Sequence, residues 1–225
     1  KLPAQADTGF FSIETDTRKI KKGALFIALQ GENFNGEDFV PQAEAAGAAG
    51  AVVTQSCRNA SLQAVKIPVF RVEDTLQAYQ ALAHSWRLCH SLPVVAVTGS
   101  NGKTTTKDIL ASILSVRYKV QKTQGNFNNE IGLPLTLLGI RAEHGAAVVE
   151  MGMRGLGQIR AMAAMAVPDM GIITNVGETH MELLGSLDNI ARAKFELAEA
   201  MQPGQTVILN ADNIYTAAMA SKVKP

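Results

Sequence analysis

Apolar residues fall in short runs along the whole chain, and their spacing changes near Ser91. Before that point β-like runs occur at 10–13 (FFSI), 24–29 (ALFIAL), 51–53 (AVV) and 67–72 (IPVFRV). The alanine-rich stretch 39–47 predicts a short helix between them, and 75–89 predicts a longer one. Asp74 with Gln77 three positions on has the spacing of a capping box at the start of the longer helix. Leu76, Tyr79, Leu82, Ala83 and Trp86 then recur at helical spacing, which predicts one buried face. Ser91-Leu92-Pro93 ends that helix. It divides the chain into an expected N-terminal domain, 1–91, and a second domain, 92–225.

Beyond the boundary, apolar runs at 94–98, 118–122, 146–151, 170–174 and 206–210 alternate with helical stretches. Short apolar strands that alternate with helices predict an α/β domain whose parallel sheet is covered on both faces. In such sheets ligands bind beyond the carboxyl ends of the strands, so the polar residues at those ends are the candidates for chemistry.

The strand 94–98 runs directly into Gly99-Ser100-Asn101-Gly102-Lys103-Thr104 and then into an amphipathic helix. Glycines let backbone N–H groups point inward, the helix N-terminus adds partial positive charge, and Lys103 adds a full one. Thr104 has its hydroxyl where a Mg²⁺ ion would need it. The standard pattern GxxxxGK[ST] would place a glycine at 97, where this chain has Val97, so the loop is a variant. Strand, loop, Lys-Thr and helix together predict binding of a nucleoside triphosphate. Glu150 ends the run 146–150, and a carboxylate at a strand end beside a phosphate loop can hold Mg²⁺.

Three further positions are less determinate. His180 lies in the loop after 170–174, where a lone histidine is equally at home as a surface residue. In the helix after Ser186, residues Ile190, Ala193, Leu197, Ala198 and Met201 form an apolar stripe, and Arg192, Glu196 and Glu199 fall opposite. Lys194 lies on the apolar side, as either a snorkelling side chain or a cation turned toward a nucleotide. Asn126, Asn128 and Asn129 in GNFNNEIGLP serve either as turn residues or as ligands to a carboxylate or a metal-bound water.

Composition removes several function classes. Lys plus Arg (21) nearly cancel Asp plus Glu (20), and a net charge of +1 gives no footprint for nucleic acid or a membrane surface. Cys57 and Cys89 have neither metal nor redox spacing. No apolar run reaches the ~20 residues of a membrane helix, and the first residues lack a signal-peptide pattern. A soluble, cytoplasmic, monomeric protein acting on small molecules is expected.

Taken in order, TGSNGKTTT, GNFNNEIGLPLTLL, VVEMGMRGLGQI, TNVGETHMELLGSLDNIARAKFEL and ILNADN resemble the central ATPase domain of the Mur ligases. The segment TDTRKIKKGALFIALQGENFNGEDFVPQAEAAGAAGAVV resembles their UDP-binding domain. The fold this implies is a small mixed α/β UDP-binding domain followed by a parallel-sheet phosphate-loop ATPase domain. The third, Rossmann-like domain of the family would be absent, and the chain alone is expected to lack robust ligase activity.

The activity implied is ATP-dependent amide formation in peptidoglycan precursor synthesis. The terminal carboxylate of UDP-N-acetylmuramoyl-tripeptide would attack ATP to give an acyl-phosphate, and the amine of D-alanyl-D-alanine would displace phosphate. By the resemblance, 99–105 (Gly99, Ser100, Asn101, Gly102, Lys103, Thr104 and Thr105) hold ATP, and Asn210 lies near the adenine. Thr104 and Glu150 hold one of two Mg²⁺ ions, and His180 with Lys194, the latter carbamylated, serve the second. Asn126 lies near the reacting carboxylate. Thr17, Arg18, Asn35 and Gly36 contact the uridine diphosphate. A folylpolyglutamate-type ligase shares the phosphate loop but not the TDTRK…GENFNGEDF segment. A non-catalytic nucleotide-binding module is the other alternative.

Overall fold

The computed structural model describes residues 9–31, 34–179 and 181–223. The apolar runs form two parallel sheets, and the chain divides into two compact units, Lys1–Ala81 and Leu82–Pro225.

In the first unit, β1 (Ser12–Glu14), β2 (Ala24–Ile27), β3 (Gly50–Thr54) and β4 (Val69–Val72) lie side by side in chain order, all parallel. Both faces of β2 and β3 are buried, which is why these strands read as unbroken apolar runs. Phe26, Val40, Ala43, Val53 and Cys57 form the core under α1 (Val40–Ala45). A 3-10 turn, Gly36–Phe39, leads into α1, and its Glu37 is buried. The Glu37 carboxylate accepts from Thr54 N at 2.8 Å and Thr54 Oγ1 at 2.7 Å, which ties the turn to the end of β3.

The cut between the units falls inside α2 (Thr75–Leu88), about ten residues before Ser91, because the helix begins in one unit and ends in the other. Asp74 caps it, accepting from Leu76 N at 2.7 Å and Gln77 N at 3.0 Å. The buried face differs from the expected one. Tyr79 and Ala83 are buried as anticipated, but Leu82 and Trp86 are partly exposed, and Arg87 is buried in their place. Its guanidinium donates to the carbonyls of Ala166 (2.9 Å), Val167 (3.2 Å) and His90 (2.8 Å). Apolar periodicity cannot foresee an arginine whose burial is compensated by three carbonyl acceptors.

The second unit has strand order β6-β7-β5-β8-β9, all parallel, with β5 (Val94–Thr98) in the middle. β7 (Ala146–Glu150) flanks it on one side and β8 (Met170–Ile173) on the other. β6 (Val120–Lys122) and β9 (Thr206–Leu209) form the edges. Val94, Ala96, Ala147 and Val149 point to one face, where they pack with Leu133, Ile159, Met162, Ile190 and Leu197 from the helices α4 (Gly132–Leu138), α5 (Gln158–Ala166) and α7 (Leu187–Ala200). Val97 and Val148 point to the other face, against Ala111 of α3 (Lys103–Leu114). A short helix α6 (Met181–Leu184) precedes α7, and α8 (Ile214–Met219) follows β9. From β5 the chain moves first toward β6 and β7, then crosses to β8 and β9. The end of β5 is therefore the topological switch point, the place where such sheets open a crevice for ligands.

Among the described residues no helix is long and apolar enough to cross a membrane.

Candidate active site

At the carboxyl end of β5 the chain turns through Gly99 (φ +148°) and Gly102 (φ +78°) before α3 begins at Lys103. A Cβ at Gly99 would run into Thr174 Oγ1 at the end of β8, so only glycine lets the loop pass there. Gly102 is the N-cap of α3 and supplies no side-chain cap, so the first N–H groups of that helix point out of the loop unclaimed by a side chain.

The loop is held from the β8 side. Ser100 N donates to Asn175 O and Asn101 N to Asn175 Oδ1, both at 2.9 Å. Thr174 Oγ1 donates to Asn101 O at 2.7 Å. Gly177 N donates to Ser100 Oγ at 2.8 Å, and Thr179 Oγ1 is bonded to the same hydroxyl at 3.0 Å. Ser100 and Asn101 thus fasten the loop to 174–179. Lys103 folds back over the loop, its Nζ donating to Gly99 O (2.9 Å) and Ser100 O (3.0 Å). Burial lowers the Lys103 pKa from its ordinary value, and the charge of Glu150 opposes that shift.

Glu150, the last residue of β7, is only 2% exposed. Its Oε2 accepts from Thr104 Oγ1 at 2.9 Å and its Oε1 from Asn128 Nδ2 at 2.7 Å. Lys107 Nζ, also buried, lies 3.9 Å from Oε2 and donates to Thr123 O at 2.9 Å. Thr123 Oγ1 in turn accepts from Glu150 N at 2.9 Å. A buried carboxylate survives only with such partners, and sequence spacing identified Thr104 but neither Lys107 nor the specific asparagine. Thr104 and Glu150 present oxygen donors side by side, which fits Mg²⁺: that ion uses one or two protein oxygens and fills its other positions with phosphates and water. No group of three or more acidic, histidine or cysteine side chains that could enclose a metal occurs among the described residues.

A cavity of about 350 Å³ opens beside the loop, lined by Gly99, Lys103, Asn126, Asn128, Asn129, Glu130, Gly152, Met153, Arg154, Gln158, Thr179 and Lys194. It unites the phosphate loop, the asparagine-rich turn and Lys194, residues spread over some ninety positions that topology brings to one sheet edge. Lys194, on α7, is 2% exposed and makes no hydrogen bond or ion pair among the described residues. Burial, reinforced by the charge of Lys103, pushes its pKa down to about 7. It is therefore not a snorkelling lysine. His180 lies outside the described residues.

Glu196, two residues on, departs from the expected pattern. It was expected on the polar face of α7, yet it is 3% exposed. Its carboxylate accepts from Gly157 N at 2.6 Å and Arg160 N at 3.1 Å, at the N-terminus of α5. Arg154 and Gln158, also absent from the expected set, line the cavity from the same segment.

Asn210 is not part of this cavity lining. Its Nδ2 donates to Thr174 O at 3.0 Å and its Oδ1 accepts from Asp212 N at 2.9 Å, linking the ends of β8 and β9. Thr105 lies exposed in the first turn of α3.

The first unit has its own cavity of about 390 Å³, lined by Thr17, Arg18, Phe34, Gly36, Phe39 and Gln42 among others. Gly36 is required there because a Cβ would collide with Leu29 O and the Ala28 carbonyl carbon. Asn35 caps the 3-10 turn, its Oδ1 accepting from Glu37 N at 3.1 Å, and is absent from the lining. Arg18 is exposed and bidentate to Asp16, through Nε at 2.9 Å and Nη2 at 2.8 Å. Those hydrogen bonds hold the Asp16 carboxyl down at about 2.

A variant phosphate loop at the switch point of a parallel sheet, facing a strand-end carboxylate, defines a nucleotide-binding α/β unit of the phosphate-loop class. Comparison with known proteins narrows this. Residues 97–225 match the Mur ligase middle domain and residues 11–87 the Mur ligase family catalytic domain. The chain belongs to the Mur ligase family. It is 51% identical over 202 residues to the UDP-N-acetylmuramoyl-tripeptide--D-alanyl-D-alanine ligase of Synechocystis sp., covering 90% of this chain and 44% of that protein. Its fold superposes on a crystal structure of MurF from Acinetobacter baumannii with a TM-score of 0.87 at 35% identity, covering 94% of this chain and 46% of the other. MurF ligase from Thermotoga maritima, solved in complex with ADP, gives a TM-score of 0.82 at 31% identity, covering 94% and 48%. The chain spans less than half the length of the relatives it matches.

Proposed function

We propose that this chain carries the ATP-binding and carboxylate-activating site of a ligase that joins D-alanyl-D-alanine to UDP-N-acetylmuramoyl-tripeptide. The observation that carries the proposal is the shared cavity: Gly99 and Lys103 of the phosphate loop, Asn128, which also holds the Glu150 carboxylate, and the buried Lys194 all line it. The names of the relatives supply the two substrates.

In this account the triphosphate of ATP takes the open N-terminus of α3, and Lys103 leaves the carbonyls of Gly99 and Ser100 for the β- and γ-phosphates. Bound Mg²⁺ supplies neutralisation of the charge that develops on the phosphates. Thr104 and Glu150 hold one ion, and Asn128 and Lys107 keep the Glu150 carboxylate aimed at it. The acceptor carboxylate enters from the side of Asn126. It attacks the γ-phosphorus, so that a carboxylate oxygen–phosphorus bond forms as the bond to the ADP oxygen breaks. The amine of D-alanyl-D-alanine then attacks the acyl carbon, phosphate leaves, and the amine loses a proton. No protein nucleophile is needed; the residues position and compensate charge.

Lys194 fits N-carbamylation. A lysine titrating near 7 is substantially a free amine at neutral pH, and that amine can add carbon dioxide with release of one proton. The resulting anion would face Lys103 and, with His180, serve a second Mg²⁺. An unmodified Lys194 in intact-mass spectra at saturating bicarbonate would remove this part. Asn210 is assigned to the adenine side, and the cavity of the first unit to the uridine diphosphate. There Arg18 would exchange Asp16 for a phosphate, while Asn35 would act by shaping the turn. The two assigned domains are 1–91 and 92–225, and the protein is taken to be cytoplasmic and monomeric.

Calorimetric titration tests the proposal. UDP-N-acetylmuramoyl-tripeptide should bind more tightly than uridine diphosphate, and ATP-Mg²⁺ should bind separately. Binding of ATP-Mg²⁺ with no response to any uridine compound would contradict the substrate assignment.

A further inference from the structure

Part of the cavity lining, Gly152, Met153, Arg154 and Gln158, comes from the connection from β7 to α5 and the start of α5, and this segment is tied down by hydrogen bonds. Arg154 N donates to Gln158 Oε1 at 2.6 Å and Gly155 N to the same oxygen at 3.2 Å. Glu196 takes Gly157 N and Arg160 N. The backbone is thus pinned from within by Gln158 and from α7 by a buried carboxylate. The Arg154 side chain is not pinned: its guanidinium makes no hydrogen bond or ion pair among the described residues, and it lines the cavity.

Charge points to an anion. The ionisable residues of the lining are Lys103, Lys194, Arg154 and Glu130; Lys194 apart, whose amine is substantially uncharged at neutral pH, two cations face one carboxylate. Lys103 belongs to the phosphate loop and Lys194 is buried with a depressed pKa. Arg154 is the exposed, permanently charged member, and its planar fork matches the two oxygens of a carboxylate.

We propose that Arg154 is a specificity-determining residue that clasps the carboxylate of the acceptor, presented at a fixed position by Gln158 and Glu196. The inference rests on the ligase reading above and adds to it the group that distinguishes an ionised acceptor from a neutral one. The two anions of the reaction then have different partners: amides and Lys103 for the nucleotide, a guanidinium for the acceptor.

Arg154→Gln and Arg154→Lys suit the test because the exposed side chain carries no internal contact whose loss would unfold the protein. Each is titrated, beside the unaltered 225-residue chain, with ATP-Mg²⁺, UDP-N-acetylmuramoyl-tripeptide and the terminal carboxamide of that tripeptide. The unaltered chain should prefer the carboxylate to the carboxamide by about tenfold. Arg154→Gln should erase that preference, Arg154→Lys should keep part of it, and ATP-Mg²⁺ affinity should stay within about twofold. A preference that survives Arg154→Gln, or one absent from the unaltered chain, overturns the proposal. So does an equal loss for ATP-Mg²⁺, which would make Arg154 a nucleotide contact. An unaltered chain that binds ATP-Mg²⁺ but no tripeptide ends the ligase reading itself, before any variant is compared.

Discussion

Two helices of the second unit begin the same way and end up with opposite partners at that end. α3 follows Gly102 (φ +78°) and α5 follows Gly157 (φ +86°), and neither glycine offers a side-chain cap. Both therefore present unpaired N–H groups and the positive end of a helix dipole. At α5 a protein carboxylate, Glu196, fills the position. At α3 none does, and Lys103 adds further positive charge beside it. A similar local motif is thus satisfied by the fold at α5 and, in the proposed function, left to a ligand at α3. The C-terminus of α5 completes the contrast, since Arg87 donates there to the carbonyls of Ala166 and Val167. α5 is neutralised at both ends by buried charges from other helices; α3 is left open at the end that faces the cavity.

The contrast can be broken most severely at Glu196. Glu196→Ala removes the buried carboxylate that serves two part-buried N–H groups, and should cost about 2–4 kcal/mol of stability. Glu196→Gln, which retains one carbonyl oxygen, should cost less. Urea denaturation of both variants measures this, and a loss confined to surface-substitution levels would show that α5 does not depend on Glu196.

Lys103→Ala addresses the other helix. It should weaken ATP-Mg²⁺ binding about a hundredfold, ~2.7 kcal/mol, while changing stability by less than about 1 kcal/mol. Calorimetry and denaturation on the same preparation separate the two effects. A variant that loses stability but retains affinity would reverse the roles assigned to the two helix ends.

Lys194 gives the smallest effect, and one that depends on pH. Its folded pKa of about 7 lies below the ordinary 10.5, so between those values the unfolded chain holds a proton that the folded chain has released. Stability of the unaltered chain should therefore rise with pH across that window, and the penalty of burying the charged amine is largest below pH 7. Lys194→Met should be the more stable chain at pH 6 by roughly 2 kcal/mol, a discounted conversion of the pKa shift. The advantage should shrink steadily toward pH 10. Thermal or urea unfolding in carbonate-free buffer checks this, and a pH-independent difference would contradict the assigned burial.

The parts of this arrangement that were legible in the sequence are those built from neighbouring residues. The strands, α2 and α7 fall where apolar spacing placed them, and the phosphate loop is one continuous stretch from Gly99 to the first turn of α3. Lys194 was ambiguous because an apolar-side lysine can snorkel, and only the packing of α7 buries it. Glu196 was misplaced and Arg87 overlooked for a common reason. Periodicity assigns a charged residue to solvent unless a partner is known, and their partners are backbone groups of α5, 36 to 39 and 79 to 80 positions away. A hint was nonetheless present: Gly155-Leu156-Gly157 leads into α5 without Ser, Thr, Asp or Asn at the cap, so its N–H groups had to find an acceptor elsewhere. Asn128 was one of three equivalent asparagines until the turn aimed it at Glu150.

Residue-resolved hydrogen exchange, with and without ATP-Mg²⁺, tests the contrast most directly. The amides of Gly102, Lys103, Thr104 and Thr105 should exchange rapidly in the free chain and become protected on adding ATP-Mg²⁺. Those of Gly157 and Arg160 should be protected from the start and remain so. Protection gained at Gly157 and Arg160 instead, or no change at 102–105 under saturating nucleotide, would contradict the account.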